Sequence, residues 1–214
     1  MYRNAINVLR PVLKYLKFAD GTAQMFISYR LLLVPSLLLI AVILQCAIPS
    51  DRNRQYRRED YLLRWPDNDK DCQNLRHELL VRESRSDVTF TNSGNCVVSA
   101  GLWFDPYTEV ELNQASDLDV DHVIPLAYAH DHGGYRWSNK MKKAFAVDQD
   151  NLLLVDDYEN SVKGSKGPSE YLPAKGFHCE YLSIWKRVAE KYNIELDEAD
   201  WAVIIEAQPS CGSS

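Results

Sequence analysis

The chain contains no C-x-x-C pair, which excludes the usual structural zinc knuckle although five cysteines are present. It has no internal repeat and no low-complexity tract, so its organisation has to be read from the order of its motifs. A basic surplus is missing too. The first 48 residues hold five basic residues and one acidic one, and the remainder holds 19 basic against 29 acidic, a net charge of −10. That field argues against a protein that coats nucleic acid through its overall charge. It leaves room for an enzyme that meets a phosphodiester through a metal ion and a local basic strip.

Charge is also absent from one long stretch. Leu31 to Ile48, LLLVPSLLLIAVILQCAI, carries no ionisable acid or base over eighteen residues. This length is the lower limit for spanning a bilayer and also suits the apolar core of a long signal peptide. The run is leucine-rich all round, without a polar face, so it reads as an export segment rather than a helix of a folded core. Arg3, Arg10, Lys14 and Lys17 before it suit a cytoplasmic flank, and Met25 offers an alternative start. Cleavage, lipidation at Cys46 and retention as an anchor all stay open. The expectation is a chain that is secreted, periplasmic or anchored on the outer side, with the membrane as a partner only where the segment is kept.

The other cysteines agree with export. Cys72, Cys96, Cys179 and Cys211 allow three pairings. Cys72–Cys96 with Cys179–Cys211 is preferred, since each bridge then closes a loop within one end of the domain.

What remains divides into a charged linker at 49–70 and a folded domain at 71–211. Leu75, Leu79 and Leu80 recur at helical spacing between Asp71 and Glu83. Val88–Phe90 and Cys96–Phe104 read as strands around a turn, with a short strand expected at Val110–Leu112. Leu118–His122 alternates and is broken by Pro125; a loop with Gly133 and Gly134 then leads to a helix from Ser138 to Val147. Asn151–Val155 reads as a strand, Tyr158–Lys163 as a short helix ended by Gly164, and two further helices are expected near 178–192 and 197–207. The class is α+β.

Hydrolysis of a phosphodiester needs an activated water, a cation on the phosphate and an in-line geometry. Asp121 and His122 can supply two of these from adjacent positions. Neighbouring side chains diverge at a strand end, so the carboxylate can hold a hard cation while the imidazole faces the attacking water. A D-H pair alone is a weak signal. Its setting is stronger: Asp119-Val-Asp-His-Val-Ile-Pro125, then Asn151-Leu-Leu-Leu-Val155, then Asn160-Ser-Val-Lys163-Gly-Ser-Lys-Gly-Pro168.

That order resembles the HNH, or ββα-metal, endonuclease superfamily. It is similar in particular to the HNH domain of CRISPR effector nucleases and to small exported bacterial HNH nucleases related to the GmrSD C-terminal domain. For the exported family the resemblance extends from about Cys72 to Cys211, taking in Cys72-Gln-Asn-Leu-Arg76, Gly101-x-Trp-Phe-Asp-Pro-Tyr-Thr108, Phe145-Ala146 and Tyr171-Leu-Pro173. The resemblance implies a ββα-metal core preceded by a helix and short strands and followed by two helices. It implies His122 as general base, Asp121 and Asn160 as metal ligands, and Asn151 as the amide that bridges the loop backbone and holds His122 in orientation. Asn160 stands where the superfamily's name has its last histidine. An amide oxygen beside a carboxylate makes Mg²⁺ the natural ion, with Mn²⁺ or Ca²⁺ also acceptable.

The implied activity is metal-dependent hydrolysis of DNA, with RNA also open, and with little sequence preference. A nucleic-acid substrate is the expected partner and a monomer the expected state. Arg136, Lys140, Lys142, Lys143, Lys163 and Lys166 are the only basic concentration in an acidic domain, and lie between or beside the halves of the motif as candidate phosphate contacts. His130 and His132 read as exposed loop residues, and His77 and His178 as structural or surface residues. Two other readings are kept: a membrane-tethered, non-catalytic module of HNH shape, and a hydrolase of a different phosphodiester.

Overall fold

The computed structural model describes residues 55–91 and 93–211. The apolar run at 31–48, the alternative start at Met25 and Cys46 lie outside the described residues. Among the described residues no helix is long and apolar enough to cross a membrane.

The architecture is α+β, with six helices and two small antiparallel sheets among the described residues. Helix α1 (Leu75–Glu83) starts where the Asn74 side chain accepts from the Arg76 and His77 amides, satisfying two of the unpaired donors of its first turn. It buries Leu75, Leu79 and Leu80 against the first sheet, made of β1 (Thr89–Phe90), β2 (Val98–Asp105) and β3 (Val110–Gln114) in that order. Trp103 of β2 is enclosed there and donates its indole N–H to the Leu80 carbonyl, 2.8 Å away. The second sheet pairs β4 (Leu118–His122) with β5 (Leu152–Asp156), in the register Asp119↔Val155 and Asp121↔Leu153.

Between these strands run α2 (Leu126–Asp131) and α3 (Asn139–Ala146), and after them come α4 (Asp157–Lys163), α5 (His178–Tyr192) and α6 (Glu198–Cys211). Helix α5 turns Tyr181, Leu182, Ile184, Trp185, Val188 and Ala189 inward, the repeat of three and four that gives one apolar stripe. This stripe is the centre of a second core, distinct from the one under α1. Trp65 and Val147 touch both cores.

Two expectations are corrected. The stretch 49–70, read as a linker, is folded from Gln55 onward: a 3₁₀ turn at Arg58–Asp60 places Tyr61 and Leu62 in the core, 2% and 8% exposed. The density of charge at 51–60 hid the two apolar residues that follow it. The loop expected after Pro125 begins with α2, which buries His130, its Nδ1 3.1 Å from the Tyr61 hydroxyl.

Disulfides join Cys72 to Cys96 and Cys179 to Cys211, the latter linking α5 to α6. Loss of either is expected to lower stability by about 2–4 kcal/mol. Peptide mapping of the unreduced protein checks the pairing, and chemical denaturation of Cys→Ala pairs checks the energy; four thiols open to alkylation without reductant would contradict both.

Candidate functional site

Alternation along β4 turns Leu118 and Val120 toward the core under α1 and leaves Asp119 and Asp121 on the opposite face. Helix α4 packs over that face. It follows β5 directly, capped by Asp156, whose carboxylate accepts from the Glu159 amide at 2.8 Å. It ends at Gly164, where φ of +55° turns the chain out of the helix. Residues three apart share a helical face, so Asn160 and Lys163 both point at β4. Asn160 donates to Asp119 Oδ2 (3.1 Å), and Lys163 donates to Asp121 Oδ1 (3.0 Å) and to the His122 carbonyl (2.9 Å).

Asp121 is held from its other side as well. Tyr107 donates its hydroxyl to Asp121 Oδ2 at 2.6 Å. The turn that delivers Tyr107 is built by Asp105, fully buried, whose carboxylate accepts the amides of Tyr107 and Thr108 and the Thr108 hydroxyl. Burial pushes the Asp121 carboxyl pKa up and the Lys163 ammonium pKa down, while their mutual attraction opposes both movements and the Tyr107 hydrogen bond opposes the first.

His122 ends β4, only 5% exposed. Its Nε2 lies 2.8 Å from the Ala146 carbonyl. A carbonyl only accepts, so Nε2 carries the proton and Nδ1 holds the free lone pair of the neutral ring. Trp65 stacks on the imidazole, with ring centroids 5.7 Å apart and planes 14° apart. Burial drives the His122 pKa down to about 4, with the charges of Arg58 and Lys163 acting in the same direction. Asn151, wholly enclosed, accepts from the Ile124 amide (2.8 Å) and donates to the Ile124 carbonyl (3.1 Å), while its own carbonyl accepts from Val123 (2.9 Å). It thereby clamps the chain just after His122.

Asp119, Asp121, His122 and Asn160 line one cavity of about 460 Å³. Three of these four offer hard oxygen donors of the kind that suits a divalent cation. A separate acidic group, Asp67, Asp69 and Asp71, is exposed, and its carboxylates accept backbone amides of Lys70 to Gln73 as part of a loop.

The six basic residues expected at phosphates are not brought to this cavity. Lys163 is wholly enclosed against Asp121, and Lys142 is buried with its ammonium 5.2 Å from the centre of the Tyr61 ring. Arg136 pairs with Glu195 at 2.7 Å beside a different cavity, Lys166 donates to the Val162 carbonyl, and Lys140 and Lys143 are exposed on α3. Closeness in sequence did not become closeness in space. The cations that do line the cavity are Arg58 and Arg76. Arg76 uses one guanidinium nitrogen to hold the carbonyls of Ala115 and Leu118, both at 2.7 Å, tying α1 to the start of β4.

Several participants escape a reading of the sequence. Asp119 had a usable signal, because Asp-x-Asp on a strand places both carboxylates on one face. Tyr107 lay inside the Gly101–Thr108 motif with no role attached to it, and Trp65 and Arg58 had no signal, since only the fold brings them to His122 and Asp121.

No family model matches the chain, and no solved structure matches it. It is similar to an uncharacterized secreted protein of Arthroderma benhamiae, 32% identical over 137 residues. The match takes in 63% of this chain and 66% of that protein, just under two thirds of its length.

Proposed function

We propose that this chain is a metal-dependent endonuclease of the HNH, ββα-metal type, hydrolysing phosphodiester bonds of DNA outside the cell, with RNA as a further substrate to test. One observation carries the reading: a neutral imidazole, proton fixed on Nε2 by the Ala146 carbonyl, shares a cavity with the oxygen donors of Asp119, Asp121 and Asn160. The succession β4, β5, α4 has the order of the ββα motif that the resemblance implies.

In this reading the Nδ1 lone pair of His122 takes the proton of the attacking water. Asn151 keeps the chain beyond His122 in place, and Trp65 holds the ring plane by stacking. The donor set fits a hard cation. A carboxylate has about four acceptor positions, so Asp121 keeps capacity after receiving Tyr107 and Lys163, and Asp119 keeps capacity after receiving Asn160. Asp119, Asp121 and the Asn160 amide oxygen would hold Mg²⁺, with Mn²⁺ or Ca²⁺ as substitutes. When bound, the ion supplies charge stabilisation at the phosphate and the leaving oxygen. Secretion is supported by the apolar segment at 31–48, by the two disulfides and by the description of the Arthroderma relative as secreted.

The test is a panel of plasmid DNA, single-stranded DNA, RNA and bis(4-nitrophenyl) phosphate, each with Mg²⁺ and with excess chelator. DNA is expected to be cut with Mg²⁺, spared with chelator, and cut again when Mg²⁺ or Mn²⁺ is restored. Hydrolysis of the small diester without any nucleic acid would assign a different phosphodiester. Inactivity across the panel would remove the reading, and cutting in excess chelator would remove the metal.

A further inference from the structure

With the expected basic strip dispersed, the cavity needs another group to meet a phosphate, because two carboxylates in its wall repel one. Part of the cavity wall comes from the segment first read as a linker. Tyr56, Arg58 and Trp65 line the cavity together with His122, Asp119 and Asn160.

We propose that the Tyr56–Trp65 segment is the substrate-holding wall of this site and that Arg58 binds a phosphate of the nucleic-acid strand. The proposal rests on the phosphodiesterase reading above. Three observations carry it. First, Arg58 keeps N–H donors to spare: its side chain hydrogen-bonds that of Tyr56, but among the described residues no carboxylate pairs with it, whereas the adjacent Arg57 is held by Asp60 at 2.5 Å and Arg76 is committed to two carbonyls. Second, the side chain is exposed on a rigid base. The turn is closed by hydrogen bonds from Tyr61 (3.0 Å) and Leu62 (2.8 Å) to the Arg58 carbonyl, and both of those side chains are anchored in the core. Third, Arg58 and His122 line the same cavity, so the guanidinium shares the space in which a phosphate would lie. A planar guanidinium presents paired N–H donors to two phosphate oxygens, a match that a lysine ammonium does not provide.

The experiment measures binding of a fluorescein-labelled DNA duplex by anisotropy, in chelator and in the His122→Ala background, over a series of salt concentrations. Arg58→Gln is expected to weaken binding about tenfold or more, the scale of one charge-assisted hydrogen bond. The slope of log Kd against log salt should fall by about one. Arg58→Lys should keep the slope and lose part of the affinity. Arg187→Gln, an equal change of charge on α5 outside the cavity, should alter neither. Arg58→Gln with the affinity and slope of its parent, or Arg187→Gln with the same loss, would overturn the assignment. A wild-type protein that cuts no nucleic acid would instead remove the underlying reading and this proposal with it. Because Arg58 is exposed, its variants should melt with the parent, and the lysine variant keeps the comparison valid if the glutamine variant does not.

Discussion

If His122 is the general base of the proposed endonuclease, replacing it with alanine is expected to lower the rate of DNA cleavage by about two to four orders of magnitude, the usual range for such a group. Mg²⁺ affinity, followed by calorimetry, should stay close to that of wild type, because in the proposed mechanism the imidazole serves the water and not the ion. Retention of a tenth of the activity would sink the assignment. The pH dependence is equally specific. Burial holds the His122 pKa at about 4, so the ring is neutral and able to accept a proton at any higher pH. Cleavage should therefore rise through about pH 4 and not through the ordinary imidazole range near 6.5. The sign for stability follows from the same shift. Between about pH 6.5 and 4 the unfolded chain binds a proton at this position that the folded chain refuses, so stability falls as pH falls across that window. The full loss is roughly 3 kcal/mol. Urea melts of wild type and His122→Ala at several pH values read this difference directly, and parallel curves for the two proteins would contradict it.

The second large effect belongs to Lys163. Its ammonium is wholly enclosed and pairs with a carboxylate that is only 6% exposed. Truncation to alanine leaves Asp121 buried without its counter-charge, which costs about 3–5 kcal/mol in comparable sites. Lys163→Met should destabilise by a similar amount, since it restores volume and not charge. Adding Asp121→Asn should recover a measurable part, because an amide tolerates burial that a lone carboxylate does not. Chemical denaturation with both disulfides intact provides the measurement. A loss below about 1 kcal/mol for Lys163→Ala would mean that the pair is worth no more than a surface contact.

Lys163 also shows where sequence reasoning stops. In the chain it looks like one more cation in a basic concentration, and lysine is ordinarily a surface residue. Only the phase of α4 relative to Asn160 turns it inward, and that phase depends on where the helix begins. The α+β class and the two strands of the second sheet, one carrying Asp121 and the other starting just after Asn151, were legible because they announce themselves locally, by alternation in Leu118–His122 and by the compact apolar run after Asn151. The grouping of Asp121, His122 and Asn160 was legible because an order of motifs survives in a linear string. The Tyr56–Trp65 wall was not. It is rich in charge, ordered through two buried residues, and joined to His122 across more than fifty positions of sequence. Tyr107 was hidden in the same way: its turn is local, but the carboxylate it holds is on another strand. The lysines of α3 failed as a group for the opposite reason, since charges adjacent in sequence point around a helix in different directions.

The direct passage from β5 into α4 has an evolutionary consequence. Asp156 ends the strand and Asp157 begins the helix, so no residue lies between them to absorb a change of length. One inserted residue would rotate the following helix by roughly 100°, turning Asn160 and Lys163 away from Asp119 and Asp121 together. The 29 residues from Val123 to Asn151 face no such constraint along most of their course. Insertions and deletions among descendants of this gene are therefore expected in the long crossing between the strands, and the junction at 156–157 is expected to stay fixed in length even where its residues change.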